Sequence, residues 1–244
     1  MTLKRRAAAP GPPFWFPDPP PDYVQFPDAP RKEDMTSPEY LLYHGQARAL
    51  SHWLGNFDTT LITFDKFLSP VPFAELREIE GRDDVFYPDM LIALDVDPQV
   101  SANRNGYAIS DYGKAPDLVM EIASGSTVDT DERRKREGYA LLGVREYWRF
   151  NSGVGRRNLP SLAGDRLADD RYEPVHIEEW APGRYRGYSE VLRLYVCWED
   201  ARLEWYDPVE SVYLPDYDTV LRARDAAEDR IRQLEAENRR LRGE

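Results

Sequence analysis

The segment "APDLVMEIASGST", residues 115–127, joins a hydrophobic strand to a hydroxyl-rich loop and carries two carboxylates. Alternation along an extended chain sends Asp117 and Glu121 to one face, and Leu118, Met120 and Ile122 to the other. A buried strand has no packing use for two acids, so their shared face is a candidate site.

A second segment repeats the pattern. In "YPDMLIALDVD", residues 87–97, Asp89 shares a face with Leu91, Ala93 and Asp95, while Met90, Ile92, Leu94 and Val96 take the other. Asp95 lies roughly 20 Å along the strand from Asp89, so it is expected at the far end, facing solvent. If the two strands are neighbours, Asp89 and Glu121 converge at one end of the sheet. Two or three oxygens plus water there suit a small hard cation such as magnesium, with manganese as a substitute. Such an ion binds a phosphate oxygen and acidifies a bound water, giving a nucleophile for phosphodiester hydrolysis. Asp117 is a candidate further ligand; its bland alternative is to cap the strand after Pro116.

The next segment, "VDTDERRKREGYALLG" (residues 128–143), reads as a helix. Asp129 and Glu132 have capping-box spacing, acids fill the first turn, and Gly143 can close the far end. Lys135 and Tyr139 are spaced i, i+4 and share a face, which Leu142 anchors to the sheet. A cation beside the carboxylates orients the attacking water and offsets charge developing at phosphorus, a role for Lys135. The bland alternative is one more solvated charge in "DERRKRE".

Around these segments the pattern predicts a helix at residues 37–57, strands at 59–71, 84–97 and 116–123, the helix just described, and a strand at 145–150. That order implies an α/β core with a mixed sheet. Short strands at 172–180, 184–189, 192–199 and 202–207 form a β-rich extension of the same domain. Three regions result: a proline-rich arm at 1–30, a domain at 31–215 and a tail at 216–244. The arm's Phe14, Trp15, Phe16, Tyr23 and Phe26 suggest that parts of it lie against the domain or a neighbouring subunit. In the tail, Val220, Ala227, Leu234 and Leu241 fall seven apart, with Arg224, Ile231 and Asn238 at the complementary core positions. About three heptads of this kind predict a coiled coil and hence a homodimer, and one core Asn favours a parallel two-stranded register. A surface helix capping its own domain is the alternative.

Composition narrows the classes. The 244 residues carry a formal charge of -12, which counts against a general nucleic-acid coat protein. The single cysteine, Cys197, excludes an intrachain disulfide framework and a multi-cysteine zinc site, and fits a reducing cytoplasm. No apolar run approaches the roughly 18 residues of a membrane span, so no membrane partner is expected.

Taken together, "YPD", "PDLVMEIASGST" and then "K...Y...GVREYW" resemble the Uma-type family of putative restriction endonucleases, within the PD-(D/E)XK nuclease superfamily. The resemblance spans roughly residues 38–206 and is strongest over 116–148. It implies a restriction-endonuclease-like core, a mixed central sheet flanked by helices, and a magnesium-dependent endonuclease that hydrolyses DNA. Asp89 becomes the motif aspartate and Glu121 the acid of the third motif strand. The superfamily lysine belongs two residues later, where this chain has Ala123, so Lys135 on the following helix is the candidate replacement. Gly125 stands where relatives usually have proline. A further acid or glutamine on helix one is implied, with Glu39 and Gln46 both open. The alternative is a catalytically silent nuclease fold serving as a dimeric binding module, to which Ala123 and the negative charge lend support.

Overall fold

The computed structural model describes residues 47–72, 75, 85–101, 106–123, 129–151, 161–199, 202–215 and 217–242. The proline-rich arm, Glu39, Gln46 and the hydroxyl loop 124–128 lie outside the described residues.

In chain order the elements are helix α1 (Ala47–Leu54), strands β1 (Thr60–Phe64), β2 (Phe67–Ser69) and β3 (Met90–Leu94), a 3-10 turn (Pro98–Ser101), and β4 (Gly106–Ala108). The one-turn helix α2 (Ile109–Tyr112), β5 (Leu118–Ala123), helix α3 (Asp129–Leu141) and β6 (Glu146–Asn151) follow. The chain ends with β7 (Leu162–Ala168), β8 (Arg171–Pro174), β9 (Ile177–Ala181), β10 (Arg184–Ser189), β11 (Leu194–Glu199), β12 (Arg202–Asp207), β13 (Val212–Tyr213) and α4 (Tyr217–Arg242).

A mixed six-stranded sheet runs β1-β3-β5-β6-β7-β8. Only its β5–β6 pairing is parallel. A parallel pair needs a long crossover, and α3 supplies it. A second, fully antiparallel sheet runs β13-β12-β11-β10-β9, and β2 pairs with β4 separately.

The central strands are buried on both faces, which is why β3 and β5 read as nearly unbroken apolar runs. On one face Met90, Ile92, Leu118, Met120, Trp148 and Phe150 pack with Leu194, Val196, Trp198, Leu203 and Trp205 of the second sheet. On the other, Leu91, Ala93, Val119 and Tyr147 pack with Tyr139 of α3 and Val144 beyond it. The expected division of β3 therefore holds from Met90 to Leu94. Val96 departs from it and joins the helix-side core, because Asp95 takes φ 55 and breaks the alternation.

Other expectations are corrected by local backbone geometry. The segment 59–71 divides into β1 and β2 at Asp65, whose φ is 47. The segment 84–97 keeps only Met90–Leu94 as a strand, with Phe86 forming an isolated bridge to Leu68. The segment 172–180 splits after Pro174 between the two sheets, since proline cannot continue a ladder as donor. Strand β7, "LAGDRLA", went unread because Gly164 and Asp165 interrupt its alternation. Gly164 is there for space: a Cβ would lie 2.8 Å from the Trp148 ring. The tail is a single helix, Tyr217–Arg242. Among the described residues no helix is long and apolar enough to cross a membrane.

The two sheets are bolted together by a buried acid. Glu146, fully buried on β6, accepts hydrogen bonds from Trp148 Nε1 (3.0 Å), Ser189 Oγ (2.6 Å), the Glu190 amide (2.8 Å) and Arg166 Nε (3.3 Å). Removing the carboxylate orphans several buried donors at once, a cost of about 3 kcal/mol or more. Glu146→Ala is therefore expected to lower the unfolding free energy measured by urea titration by that amount; a loss below about 1 kcal/mol would contradict this role.

Candidate active site

Two Pro-Asp dipeptides lead into two antiparallel neighbours, so they arrive at opposite ends of one strand pair. Asp89, after Pro88, precedes β3, and its Oδ2 accepts the Ile122 amide at 2.7 Å. Asp117, after Pro116, precedes β5, and its Oδ2 accepts the Leu94 amide at 2.8 Å. Each acid thus extends the β3–β5 ladder by one bond at its own end. Asp117 is further held by Lys114 Nζ at 2.7 Å and faces Arg145 Nη1 at 3.4 Å. At strand rise it lies about 13 Å from Glu121, and the structure does not bring it to that residue.

Asp89 and Glu121 do come together. The register pairs Met90 with Met120, and one step outward sets residue 89 against residue 121 on the helix-facing side. Glu121 is 8% exposed. Tyr139 donates its hydroxyl to Oε1 at 2.7 Å, and Lys135 Nζ donates to Oε2 at 2.9 Å. Lys135 and Tyr139 are the i, i+4 pair, so one turn of α3 holds both oxygens of a single carboxylate.

The approach of α3 to the sheet is set by two local features. Gly138 leaves room for the Phe86 ring, whose Cζ a Cβ would meet at 2.0 Å. The helix then closes in a Schellman arrangement at Gly143 (φ 84), with Val144 N–H on the Tyr139 carbonyl and Gly143 N–H on that of Ala140. Tyr139 is wedged between Phe86 and Tyr147, with ring centroids 4.9 and 5.0 Å away.

Electrostatics at Glu121 are dominated by desolvation. Burial, then the nearby Asp89 charge, pushes its carboxyl up to about 7, while Lys135 and the hydrogen bonds from Tyr139 and Lys135 pull the other way. Burial and the Glu121 charge hold the Tyr139 phenol well above 10, so it stays a donor. The run "DERRKRE" is therefore not a uniformly solvated face. Arg133 is out in solvent beside Glu137, but Lys135 turns to Glu121 and Arg136 to Asp165 at 2.9 Å. Asp165 also takes Arg149 at 2.7 Å, and Arg149 is the register partner of Glu121 on β6.

Sequence reasoning missed Tyr139 as a partner of Glu121, although its spacing from Lys135 was the available signal. It also missed the ion cluster at Asp165, because β7 itself was unread.

The donor set is two carboxylates with one lysine, an excess of negative charge in a desolvated setting. Among the described residues no cluster of three or more His, Cys, Asp or Glu is arranged to hold a metal. Two carboxylates match magnesium, which keeps several waters and completes its shell with substrate phosphate. Zinc sites, structural or catalytic, draw on His or Cys ligands, and this donor set has neither.

The sequence profile of the Uma2 family, described as "Putative restriction endonuclease", matches residues 74–229, so the chain belongs to that family. No curated protein matches it. Among solved structures, a similar chain is a putative nuclease of the DUF820 group from Anabaena variabilis ATCC 29413. The two are 10% identical with a TM-score of 0.34, over 55% of this chain and 67% of that one, too distant to carry weight in assigning the fold.

A raised carboxyl has a definite sign in stability. Folded Glu121 holds its proton to about pH 7, against 4.5 for the ordinary group, so its contribution is full below pH 4.5 and is lost as pH rises through 7. Without divalent ions, Glu121→Gln is expected to raise Tm at pH 8 by about 4 °C and to change it little at pH 5. A lower Tm at pH 8 would contradict the electrostatic reading.

Proposed function

We propose that the chain is a magnesium-dependent endonuclease that hydrolyses phosphodiester bonds in DNA, with manganese able to substitute. The observation that supports this most is Glu121. A carboxylate is buried beside a second one at a strand end, with its two oxygens held by Lys135 and Tyr139. Structural economy gives no reason to bury an acid where another acid opposes its ionisation, whereas a bound cation removes the conflict.

Asp89 and Glu121 are the metal ligands in this reading, and Asp117 serves the ladder end instead. A divalent ion held there supplies positive charge for the phosphate and acidity for a water at neutral pH. Asp89 is oriented by its bond to the Ile122 amide, so its carboxylate is held in place beside Glu121. Lys135 places an ammonium against the same carboxylate, where it can donate to the attacking water or to a phosphate oxygen. The net reaction adds water to phosphorus, breaks one phosphorus–oxygen ester bond, and leaves the departing oxygen protonated. Lys135 at 2.9 Å from Glu121 also offsets the vacancy at Ala123, which favours the catalytic reading over a silent binding module. Two copies joined through α4 would present two such sites to one duplex.

The test is plasmid cleavage by the purified full-length chain. Cleavage is expected with magnesium or manganese, none with excess chelator, and a loss of at least about 100-fold in Asp89→Asn and Glu121→Gln variants that remain folded. Cleavage indifferent to chelator or to Glu121→Gln would overturn the assignment.

A further inference from the structure

Helix α4 spans 26 residues, about 39 Å, and each of its side chains that the structure describes is exposed. Its apolar stripe includes Val220 at 48%, Ile231 at 55%, Leu234 at 43% and Leu241 at 73% exposure. Helices in proteins draw most of their stability from packing an amphipathic face, and the stripe on α4 lies open.

We infer that this stripe is covered by a second copy of the chain, with the two α4 helices parallel and in register. The inference rests on the dimer named above and deepens it by naming the charge pairs that select the parallel register over the antiparallel one. With Val220, Ala227, Leu234 and Leu241 at position d, and Arg224, Ile231 and Asn238 at a, positions g include Arg230 and Glu237, and positions e include Glu228, Glu235 and Arg242. A parallel pair sets each g residue against the partner's e residue five positions on. Arg230 then meets the partner's Glu235, and Glu237 meets the partner's Arg242. Symmetry doubles both contacts, giving four opposite-charge pairs. The fully overlapped antiparallel pair instead sets Arg230 against the partner's Arg230 and Glu228 against the partner's Glu228. Shifting it by a heptad pairs Arg230 with the partner's Glu237 but sets Glu228 against the partner's Glu235, so attraction and repulsion cancel.

The core positions agree with the parallel choice. Asn238 at a meets the partner's Asn238 only in that arrangement, where the amides hydrogen-bond to each other. Arg224, the unfavourable a residue, is already partnered within its own helix by Asp225 at 2.7 Å and Glu228 at 3.7 Å. One consequence is spatial: a parallel pair emerges with both bodies at the Tyr217 end, whereas an antiparallel pair would hold them at opposite ends of the helix.

The experiment uses the full chain and two readouts. Sedimentation equilibrium reports the mass against the 28.3 kDa monomer. Oxidative cross-linking of Leu241→Cys reports orientation, since the parallel pair brings the two position-241 side chains together and the antiparallel pair separates them; Cys197 is buried and stays out of the reaction. A dimer that cross-links is expected. Glu235→Lys should weaken self-association about tenfold, and Arg230→Glu added to it should restore most of the loss. A monomer would overturn the dimer itself. A dimer that fails to cross-link, or is unweakened by Glu235→Lys, would overturn the parallel register while leaving the dimer and the nuclease assignment standing.

Discussion

The register of β3 against β5 is the constraint on which the rest of the molecule depends. It pairs Met90 with Met120, Leu91 with Val119 and Ile92 with Leu118. Side chains alternate with a period of two, so a slip of one residue would turn the acids into the space between the sheets and the aliphatics toward α3. Two unlike cores forbid that slip: one filled by the second sheet's Val196, Trp198 and Trp205, the other by Tyr139 and Val144. The hydrogen bonds of Asp89 and Asp117 to the amides at the two ends of the ladder pin the same register from outside.

From that register the site follows. Glu121 has no freedom to leave its row, and α3, delivered by the crossover between β5 and β6, must pass over it. Gly138 sets the depth of that passage and the Gly143 turn sets where it stops. The result is an acid kept out of water against its own electrostatic preference, which is a common signature of a site where function outweighs stability. The fold offsets that conflict elsewhere, in a double-sided sheet and in Glu146, whose buried carboxylate is fully engaged by Trp148, Ser189 and the following loop.

How much of this the sequence disclosed depended on how local the signal was. The faces of β3 and β5, the helix after them and the grouping of Asp89, Glu121 and Lys135 rest on short-range alternation and i, i+4 spacing, and they were legible. The difference between Asp89 and Asp117 was not, because both follow proline and both cap a strand end. Only the antiparallel pairing reveals that one of them lies beside Glu121 and the other beside Lys114 and Arg145. Likewise β7 was hidden by Gly164, a residue chosen by the Trp148 ring from another strand. Family membership points to a class of chemistry, but the partners of Glu121 had to come from the fold.

The most direct measurement of the central claim is proton counting during manganese binding, by calorimetry at pH 6 and pH 8 in buffers of differing ionisation heat. With Glu121 pushed up to about 7, binding at pH 6 should release close to one proton per ion, and at pH 8 close to none. Absence of binding, or a proton count that does not change between the two pH values, would contradict a shared ion at Asp89 and Glu121.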